Sequence, residues 1–399
     1  MRGSILNILS QALAIFLMLA ILSILIIVHE CGHFLVARFF GFQTPVFGFG
    51  LPFGPTWTIG KAWDTEFKIH ACLLGGYVAI PELGDESEIT QDNIGENLKP
   101  FRKFPIWQRA LVAFAGVGFN ILFAYLIMVM MLFTLGEPSQ TTMVYDLVPQ
   151  NTIAKMAGVK KDDILVSVND KNVTSPSEAV NILSKFKSAK VTLHLLRLGQ
   201  PIDINLTTSA SGKVGIVLIP EGEVNYTKVN ESFLGIWALG FDRTAKMSGL
   251  MVDAIKQMAM GLVPTFHEKG GVAAPKGSWR DIHGILAVVK IGADIAKKDW
   301  RQLFLFTILI SLDLAIFNLV PWPALDGGHL AFMFIEAIMG KPLGPQTQGH
   351  IIKWGFVSLF ALVCLVMFND VSALISGKLD LKNSRSAKNN SEQIAPVAK

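Results

Sequence analysis

The sequence of 399 residues is short of charged side chains and of cysteine. Charged residues make up 17% of the chain and hydrophobic residues 51%, whereas an ordinary soluble domain carries roughly 25% charged residues. This balance excludes a conventional soluble enzyme and indicates a membrane protein with room for one soluble domain. The three cysteines, Cys31, Cys72 and Cys364, lie far apart, so no disulfide framework is implied.

The chain also lacks the features of a nucleic-acid-binding protein. Its formal net charge of +4 is small for this length, and no stripe of basic and aromatic residues runs along it. We therefore expect no nucleic-acid partner.

Charge is missing altogether between Gly3 and Val28, a stretch long enough to cross a bilayer as a helix. The stretch exceeds the apolar region of a signal peptide, and cleavage would remove or sever the polar cluster that follows, so we interpret it as a retained anchor. Apolar runs near 6–35, 110–135, 303–320 and 351–368 predict about four membrane-spanning helices.

Basic residues are distributed unevenly around these helices. The loop after the first helix carries seven lysines and arginines, whereas Arg2 and the amino terminus precede it. The positive-inside rule then places this loop in the cytoplasm and the segment 138–300 outside. Four basic residues of the polar C-terminal tail fall outside as well, against the rule: Lys378, Lys382, Arg385 and Lys388.

The first apolar run ends in the motif His29-Glu30-Cys31-Gly32-His33. Residues 29 and 33 lie one helical turn apart, so both imidazoles can bind one Zn²⁺ while Glu30 reaches the water at the metal as a general base. The alternative is a hydrogen-bonded cluster at the membrane interface. Three ionisable side chains within five residues at membrane depth are costly, which favours the metal site.

A third metal ligand has to come from elsewhere, because Val36 and Phe39 occupy the positions of the glycine and the third histidine of the metzincin motif. The third apolar run ends at Pro321 and Pro323, which cannot continue a helix. The first and third helices run in the same direction across the membrane, so Asp326 reaches the depth of the two histidines.

We therefore predict a catalytic zinc site in which His29, His33 and Asp326 are the ligands and one position stays open. The alternative for Asp326 is a helix cap after the proline turn. Asn318 is a candidate donor to the oxyanion of the reaction, and its alternative is a satisfied amide within the membrane. His329 is interpreted as a structural or supporting residue, since a fourth ligand would close the site.

The segments between the helices predict further elements. Residues 41–80 are rich in glycine, proline and aromatic residues, which predicts short strands that dip into the cytoplasmic leaflet and pair with an unwound substrate; an ordinary cytoplasmic hairpin is the alternative. An acidic, polar loop follows at 82–99. In the second helix Gly116 and Gly118 allow close helix approach, and Asn120 is interpreted as a hydrogen-bonding link between helices.

From about 143 to 220 the composition turns soluble. Alternating residues at 164–168 and 191–195 predict strands, and 177–186 has the spacing of a helix. Charged residues at helical spacing in 233–262 and 281–298 predict amphipathic helices on the outer membrane surface.

With these motifs together, the chain resembles the site-2 zinc metalloproteases of regulated intramembrane proteolysis, in their bacterial form with a periplasmic PDZ domain. The resemblance is carried by the motifs at 29–33, 75–78, 107–109, 116–120 and 318–328 and by Asn369-Asp370. It implies a polytopic α-helical membrane protein of about four transmembrane helices, with a membrane-associated β-hairpin region and one extracytoplasmic PDZ-like α+β domain. The chain departs from the family pattern at Val117, Asp162, Asp313 and 283–285.

The residues and the resemblance divide the chain into eight parts. These are the first transmembrane helix with the zinc motif at 1–40, the hairpin region at 41–109, the second transmembrane helix at 110–136, the PDZ-like domain at 137–225, the amphipathic helices at 226–300, the third transmembrane helix with Asp326 at 301–330, a loop and the fourth transmembrane helix at 331–370, and a polar tail at 371–399.

The resemblance implies an intramembrane zinc metalloendopeptidase. Its expected substrates are transmembrane segments of single-pass proteins that another protease has already cleaved, such as an anti-sigma factor or a signal-peptide remnant. The expected location is the bacterial inner membrane, in contact with lipid, with the PDZ-like domain on the periplasmic side; the oligomeric state stays open. Two alternatives are a proteolytically silent PDZ-containing scaffold and a zinc transporter.

Overall fold

The computed structural model describes residues 2–80, 104–147, 153–262 and 284–375, which fall into two compact units. The first unit comprises Met1–Val129 and Ala238–Lys399, and the second comprises Met130–Trp237. The predicted acidic loop at 82–99, the departure at His283 and the tail from 376 onward lie outside the described residues.

Three of the described helices are long and apolar enough to cross a bilayer: α1 (Arg2–Phe40), α2 (Ile106–Thr134) and α9 (Pro345–Ile375). Helix α7 (Gln302–Asn318) is apolar but has 17 residues, or about 26 Å against a hydrocarbon core of about 30 Å. The structure is that of a membrane protein, and the number of four spans stays a prediction.

The remaining helices of the first unit are short or polar on one side. They are α5 (Phe233–Leu262), which begins at the end of the second unit, α6 (Ile285–Lys298) and α8 (Asp326–Met339). The amphipathic character predicted for 281–298 is present in α6, and its apolar side is buried on protein. Gly292 of α6 lies so close to α1 that an added Cβ would meet the sulfur of Met18 at 2.4 Å.

The hairpin region forms strands β1 (Val46–Ala62) and β2 (Thr65–Ala79), joined by a two-residue turn in which Trp63 and Asp64 both have positive φ. The first part of β1 is paired on both sides: Val46 lies opposite Glu66 and Ala79. The predicted short strands are therefore segments of two long strands with several register shifts. Within the described residues the segment 76–79 is paired along one side only.

The second unit is a sheet of six strands with two helices. In chain order the elements are β3 (Glu137–Leu147), α3 (Ile153–Met156), β4 (Ile164–Val168), β5 (Lys171–Asn172), α4 (Pro176–Lys185), β6 (Lys190–Arg197), β7 (Gln200–Thr207) and β8 (Ile216–Thr227). The strand order is β7-β6-β4-β3-β8, and β5 pairs with β4. The strands predicted at 164–168 and 191–195 and the helix predicted at 177–186 are confirmed.

A buried ion pair joins two parts of the second unit. The carboxylate of Asp163 accepts hydrogen bonds from Nε and Nη2 of Arg197, both at 2.7 Å, and from the backbone N–H of Lys160 at 2.8 Å. Burial by itself raises the pKa of Asp163, but these donors hold it below its usual value. The pair thus fixes the start of β4 to the end of β6.

Candidate metal centre

The two histidines of the first motif lie on one side of α1 and point at each other. Their Nε2 atoms are 3.2 Å apart, and both side chains are buried. Asp326, the first residue of α8, brings Oδ2 to 3.1 Å from Nε2 of His29 and to 3.4 Å from Nε2 of His33. The structure therefore brings the three predicted ligands together from two distant parts of the sequence.

The spacing of these three atoms fits a tetrahedral zinc ion. Nitrogen and carboxylate oxygen ligands lie at about 2.0–2.1 Å from zinc, so two ligand atoms of a tetrahedral site are roughly 3.3 Å apart. The three observed distances run from 3.1 to 3.4 Å. A carboxylate oxygen and two imidazole lone pairs repel at this distance, and a cation at their centre removes the repulsion.

His33 is held in the tautomer that a metal ligand needs. Its Nδ1 lies 2.8 Å from the carbonyl oxygen of Val112 in α2, so Nδ1 carries the proton and donates a hydrogen bond to that oxygen. The lone pair of Nε2 is left facing the site. A hydrogen bond from the second ring nitrogen is the usual support of a zinc-bound histidine.

Asn120 of α2 supports the other histidine. Its side-chain amide lies 3.3 Å from Nδ1 of His29, and its Oδ1 is buried without a hydrogen-bond partner among the described residues. When Nε2 of His29 binds the metal, Nδ1 carries a proton and needs an acceptor. Rotation of the amide by about 180° supplies Oδ1 as that acceptor and satisfies both groups. The sequence reasoning missed this role because it assigned Asn120 to helix contacts in general.

Gly116 leaves the space that the imidazoles occupy. A Cβ added at this position would lie 2.3 Å from Nε2 of His33 and 2.7 Å from Nε2 of His29. Gly32 of α1 does the same for the helix backbones, since its Cβ would lie 2.5 Å from the carbonyl oxygen of Ala115. The close helix approach predicted from Gly116 and Gly118 is confirmed for Gly116, whereas an added Cβ on Gly118 would meet only Phe114 of the same helix, at 3.5 Å. Gly116 additionally makes room for the candidate metal site.

The chain between α7 and α8 delivers Asp326 to the site. Gly327 and Gly328 are buried, and a Cβ on Gly327 would lie 2.3 Å from the carbonyl oxygen of Leu319. The loop is fixed to α9 by a hydrogen bond of 3.1 Å from Nε1 of Trp322 to the carbonyl oxygen of Gly355. The two glycines therefore let the loop turn back tightly enough to place the carboxylate beside the histidines.

A cavity of about 250 Å³ opens beside the three ligands. Liquid water takes about 30 Å³ per molecule, so the space is roughly that of eight waters, enough for a peptide group and an attacking water. Its lining residues are Ile26, His29, Glu30, Asn120, Leu314, Asn318, Ala324, Leu325 and Asp326. Nδ2 of Asn318 lies 3.4 Å from Nε2 of His29, so an amide donor faces the position of the metal.

Glu30 lines the same cavity and lies beside Gly76 of the hairpin. A Cβ added at Gly76 would lie 3.3 Å from Cγ of Glu30 and 3.8 Å from Cγ2 of Ile26. The segment 76–79 therefore passes directly beside the predicted general base. The carboxylate of Glu30 and the candidate ligands therefore lie at one cavity, and the hairpin passes beside that carboxylate.

Two residues near the candidate ligands in sequence, His329 and Cys31, lie apart from them in the structure. His329 lines a separate small cavity with Arg109 and Glu336, and its ring stands edge-on to Phe332. Cys31 packs on the cluster formed by α1 and the hairpin. Within the described part of the chain, neither joins the group of three ligands.

Comparison with known proteins points to the same chemistry. Residues 17–362 match the model of a family described as peptidase family M50. A protein of Nostoc sp. named as a zinc metalloprotease is 33% identical over 368 residues, which cover 89% of this chain and 95% of the relative. The membrane metalloprotease ARASP, chloroplastic, of Arabidopsis thaliana is 30% identical over 376 residues, which cover 89% of this chain and 78% of the relative.

Proposed function

Because the chain belongs to peptidase family M50, the site-2 protease family, we propose that it hydrolyses a peptide bond within the transmembrane segment of single-pass membrane proteins. The protein is a membrane zinc metalloprotease, which agrees with the names of its homologues. One observation carries the proposal: the three ligands and Glu30 meet at a cavity between apolar helices, where a substrate helix would have to enter.

The residues divide the work of hydrolysis among them. His29, His33 and Asp326 would hold a zinc ion, which when bound would supply the Lewis acid that activates water and polarises the peptide carbonyl. Glu30 takes the proton from the attacking water and passes it to the leaving amine. The side-chain NH₂ of Asn318 donates a hydrogen bond to the oxyanion, because it already faces the metal position.

The hairpin supports the choice of an unwound substrate. A transmembrane helix hides its carbonyl groups in hydrogen bonds, so the segment has to unwind before attack. Within the described residues the segment 76–79 pairs with one strand segment only and passes beside Glu30, and an extended substrate strand added along its other side would present its carbonyl to the cavity. This pairing replaces the helical backbone hydrogen bonds that the substrate loses when it unwinds.

The remaining parts of the proposal concern the setting of the reaction. The second unit is a PDZ-like domain on the extracytoplasmic side of a bacterial inner membrane, in line with the distribution of basic residues. The substrates are remnants of proteins such as anti-sigma factors, released by another protease. The second unit then admits only those substrates whose outer domain has already been removed.

Replacement of Glu30 by Gln tests the proposed mechanism. Gln keeps the size of the side chain but cannot accept the proton, so zinc binding is expected to stay near one equivalent while cleavage of a reconstituted transmembrane substrate falls by at least about 100-fold. Both are measured on the same detergent-solubilised preparation, by metal analysis and by gel electrophoresis of the product. Cleavage at the wild-type rate would refute the mechanism, and a full biological function without cleavage would favour a silent scaffold.

A further inference from the structure

One face of α2 contacts both histidines of the candidate metal site. Arg109, Val112, Gly116 and Asn120 follow each other at intervals of three or four residues, so they form a single stripe along the helix. Val112 accepts the hydrogen bond from His33, Gly116 makes room for both imidazoles, and Asn120 contacts His29. The first residue of the stripe, Arg109, reaches a different helix.

Arg109 is tied to Glu336 of α8 by a buried, two-pronged ion pair. Its Nη1 donates to Oε2 at 3.0 Å and its Nη2 donates to Oε1 at 2.6 Å. The side chains are 4% and 14% exposed. Nε of Arg109 donates to the carbonyl oxygen of Phe104 at 3.1 Å, so the guanidinium is held on both sides.

Helix α8 begins with the metal ligand Asp326 and carries Glu336 ten residues later, about 15 Å along the helix axis. A helix is stiff over three turns, so a contact that fixes Glu336 also fixes the position and rotation of the helix start. The two histidines contact the same face of α2. The ion pair therefore lies where it can fix the position of Asp326 relative to His29 and His33.

We propose that Arg109 and Glu336 are positioning residues for the metal site, which hold Asp326 at coordinating distance from His29 and His33. The proposal rests on the proposed function, in which Asp326 is a zinc ligand. A buried ion pair adds little net stability because both charges lose their hydration, but it selects one register of the two helices. The planar guanidinium and the carboxylate fit in one orientation, which suits this role.

The test is the zinc affinity of the full chain in detergent, measured by competition with a chromogenic chelator. Glu336→Gln removes one charge and leaves the buried guanidinium without its carboxylate partner. Zinc is therefore expected to bind about ten-fold more weakly, the lower end of the range for groups that orient metal ligands. Glu336→Asp keeps the charge on a shorter side chain and is expected to lose less affinity. If the Gln variant does not fold, the Asp variant carries the same comparison.

A double-mutant cycle with Asp326→Ala separates positioning from general support of the fold. If the ion pair acts through Asp326, the effect of Glu336→Gln on zinc affinity disappears once the ligand is gone. An equal loss with and without Asp326, or an unchanged affinity of the folded Glu336 variants, would overturn the proposal. If Asp326→Ala alone leaves zinc affinity unchanged, the assignment of the third ligand is what fails.

The exposed pair between Asp242 and Lys246 of α5 provides the control. Its two charges are 2.6 Å apart on one helix face, with side chains about half exposed. Asp242→Asn removes the same kind of charge at an exposed position and leaves the ion pair between α2 and α8 intact, so we expect wild-type zinc affinity. A loss like that of Glu336→Gln would show that the affinity responds to net charge, and would also overturn the proposal.

Discussion

The sharpest prediction concerns Gly116, whose missing side chain creates the space for the histidines. In Gly116→Ala the new methyl would lie 2.3 Å from Nε2 of His33 and 2.6 Å from Cε1 of His29. Nonbonded carbon and nitrogen atoms keep roughly 3.5 Å apart, so the methyl intrudes by about 1 Å. Both contacts are to ring atoms of stiff side chains, and the rings themselves have to move.

A displacement of this size is larger than the metal site tolerates. Zinc ligands have to stay within about 0.2 Å of their bonding distance, and the methyl points at the atoms that bind. We expect zinc affinity to fall by about 100-fold or more, the upper end of the effects seen for groups around metal ligands. Cleavage of a transmembrane substrate is expected to fall with it.

Gly118→Ala is the matched control. It lies two residues away on the same helix, and its added Cβ would meet Phe114 at 3.5 Å, an ordinary contact. Both substitutions replace glycine in a helix by alanine, so they change helix propensity equally, by up to about 1 kcal/mol in favour of the helix. Zinc per chain and the chelator-competition affinity are measured for both. Wild-type zinc binding in Gly116→Ala would refute the steric reasoning.

Two further predictions follow from individual hydrogen bonds. Asn120→Leu removes the acceptor for Nδ1–H of His29, so zinc affinity is expected to fall by roughly ten-fold, and an unchanged value would deny Asn120 its supporting role. Asp163→Asn removes the anion that Arg197 binds and is expected to cost the second unit about 2–3 kcal/mol of unfolding free energy at neutral pH, since Arg197 is partly exposed. The folded-state pKa of Asp163 is lowered, so the stabilisation that its carboxylate provides is present above the usual pKa near 4 and is lost as the pH falls through the lowered value. Hydrogen exchange of β4 and β6 as a function of pH measures this loss. If the Asn variant kept the same loss of stability in acid, the role of Asp163 would be contradicted.

The three candidate ligands could be identified from the sequence because their chemistry and their predicted position agree. His29 and His33 stand one turn apart on a helix, and Asp326 follows a helix that ends before Pro321 and Pro323. The direction predicted for both helices then put the three residues at one predicted depth. The soluble strands and α4 were predictable from alternation and helical spacing, which are local signals. Each of these inferences uses residues that are close in sequence or a count of the predicted membrane-spanning helices.

The supporting residues were harder to predict because their partners are distant and their residue types are common. The ion pair between Arg109 and Glu336 joins positions 227 residues apart, and neither residue stands in a motif with a known spacing. In the hairpin, Val46 pairs with both Glu66 and Ala79, and the alternation of side chains does not specify two partners for one strand. Asn120 was identified as polar within the membrane, but its partner depended on the rotation of α2 about its axis.

The membrane setting explains why α2 carries so much of this support. Lipid tails are as apolar as leucine side chains, so no hydrophobic force drives one helix onto another, and close contacts and hydrogen bonds have to fix their positions. On α2 these are the packing at Gly116, the hydrogen bonds at Val112 and Asn120, and the ion pair of Arg109. The candidate ligands come from α1 and α8, and the stripe of α2 contacts both histidines directly and, in our proposal, positions Asp326 through Glu336.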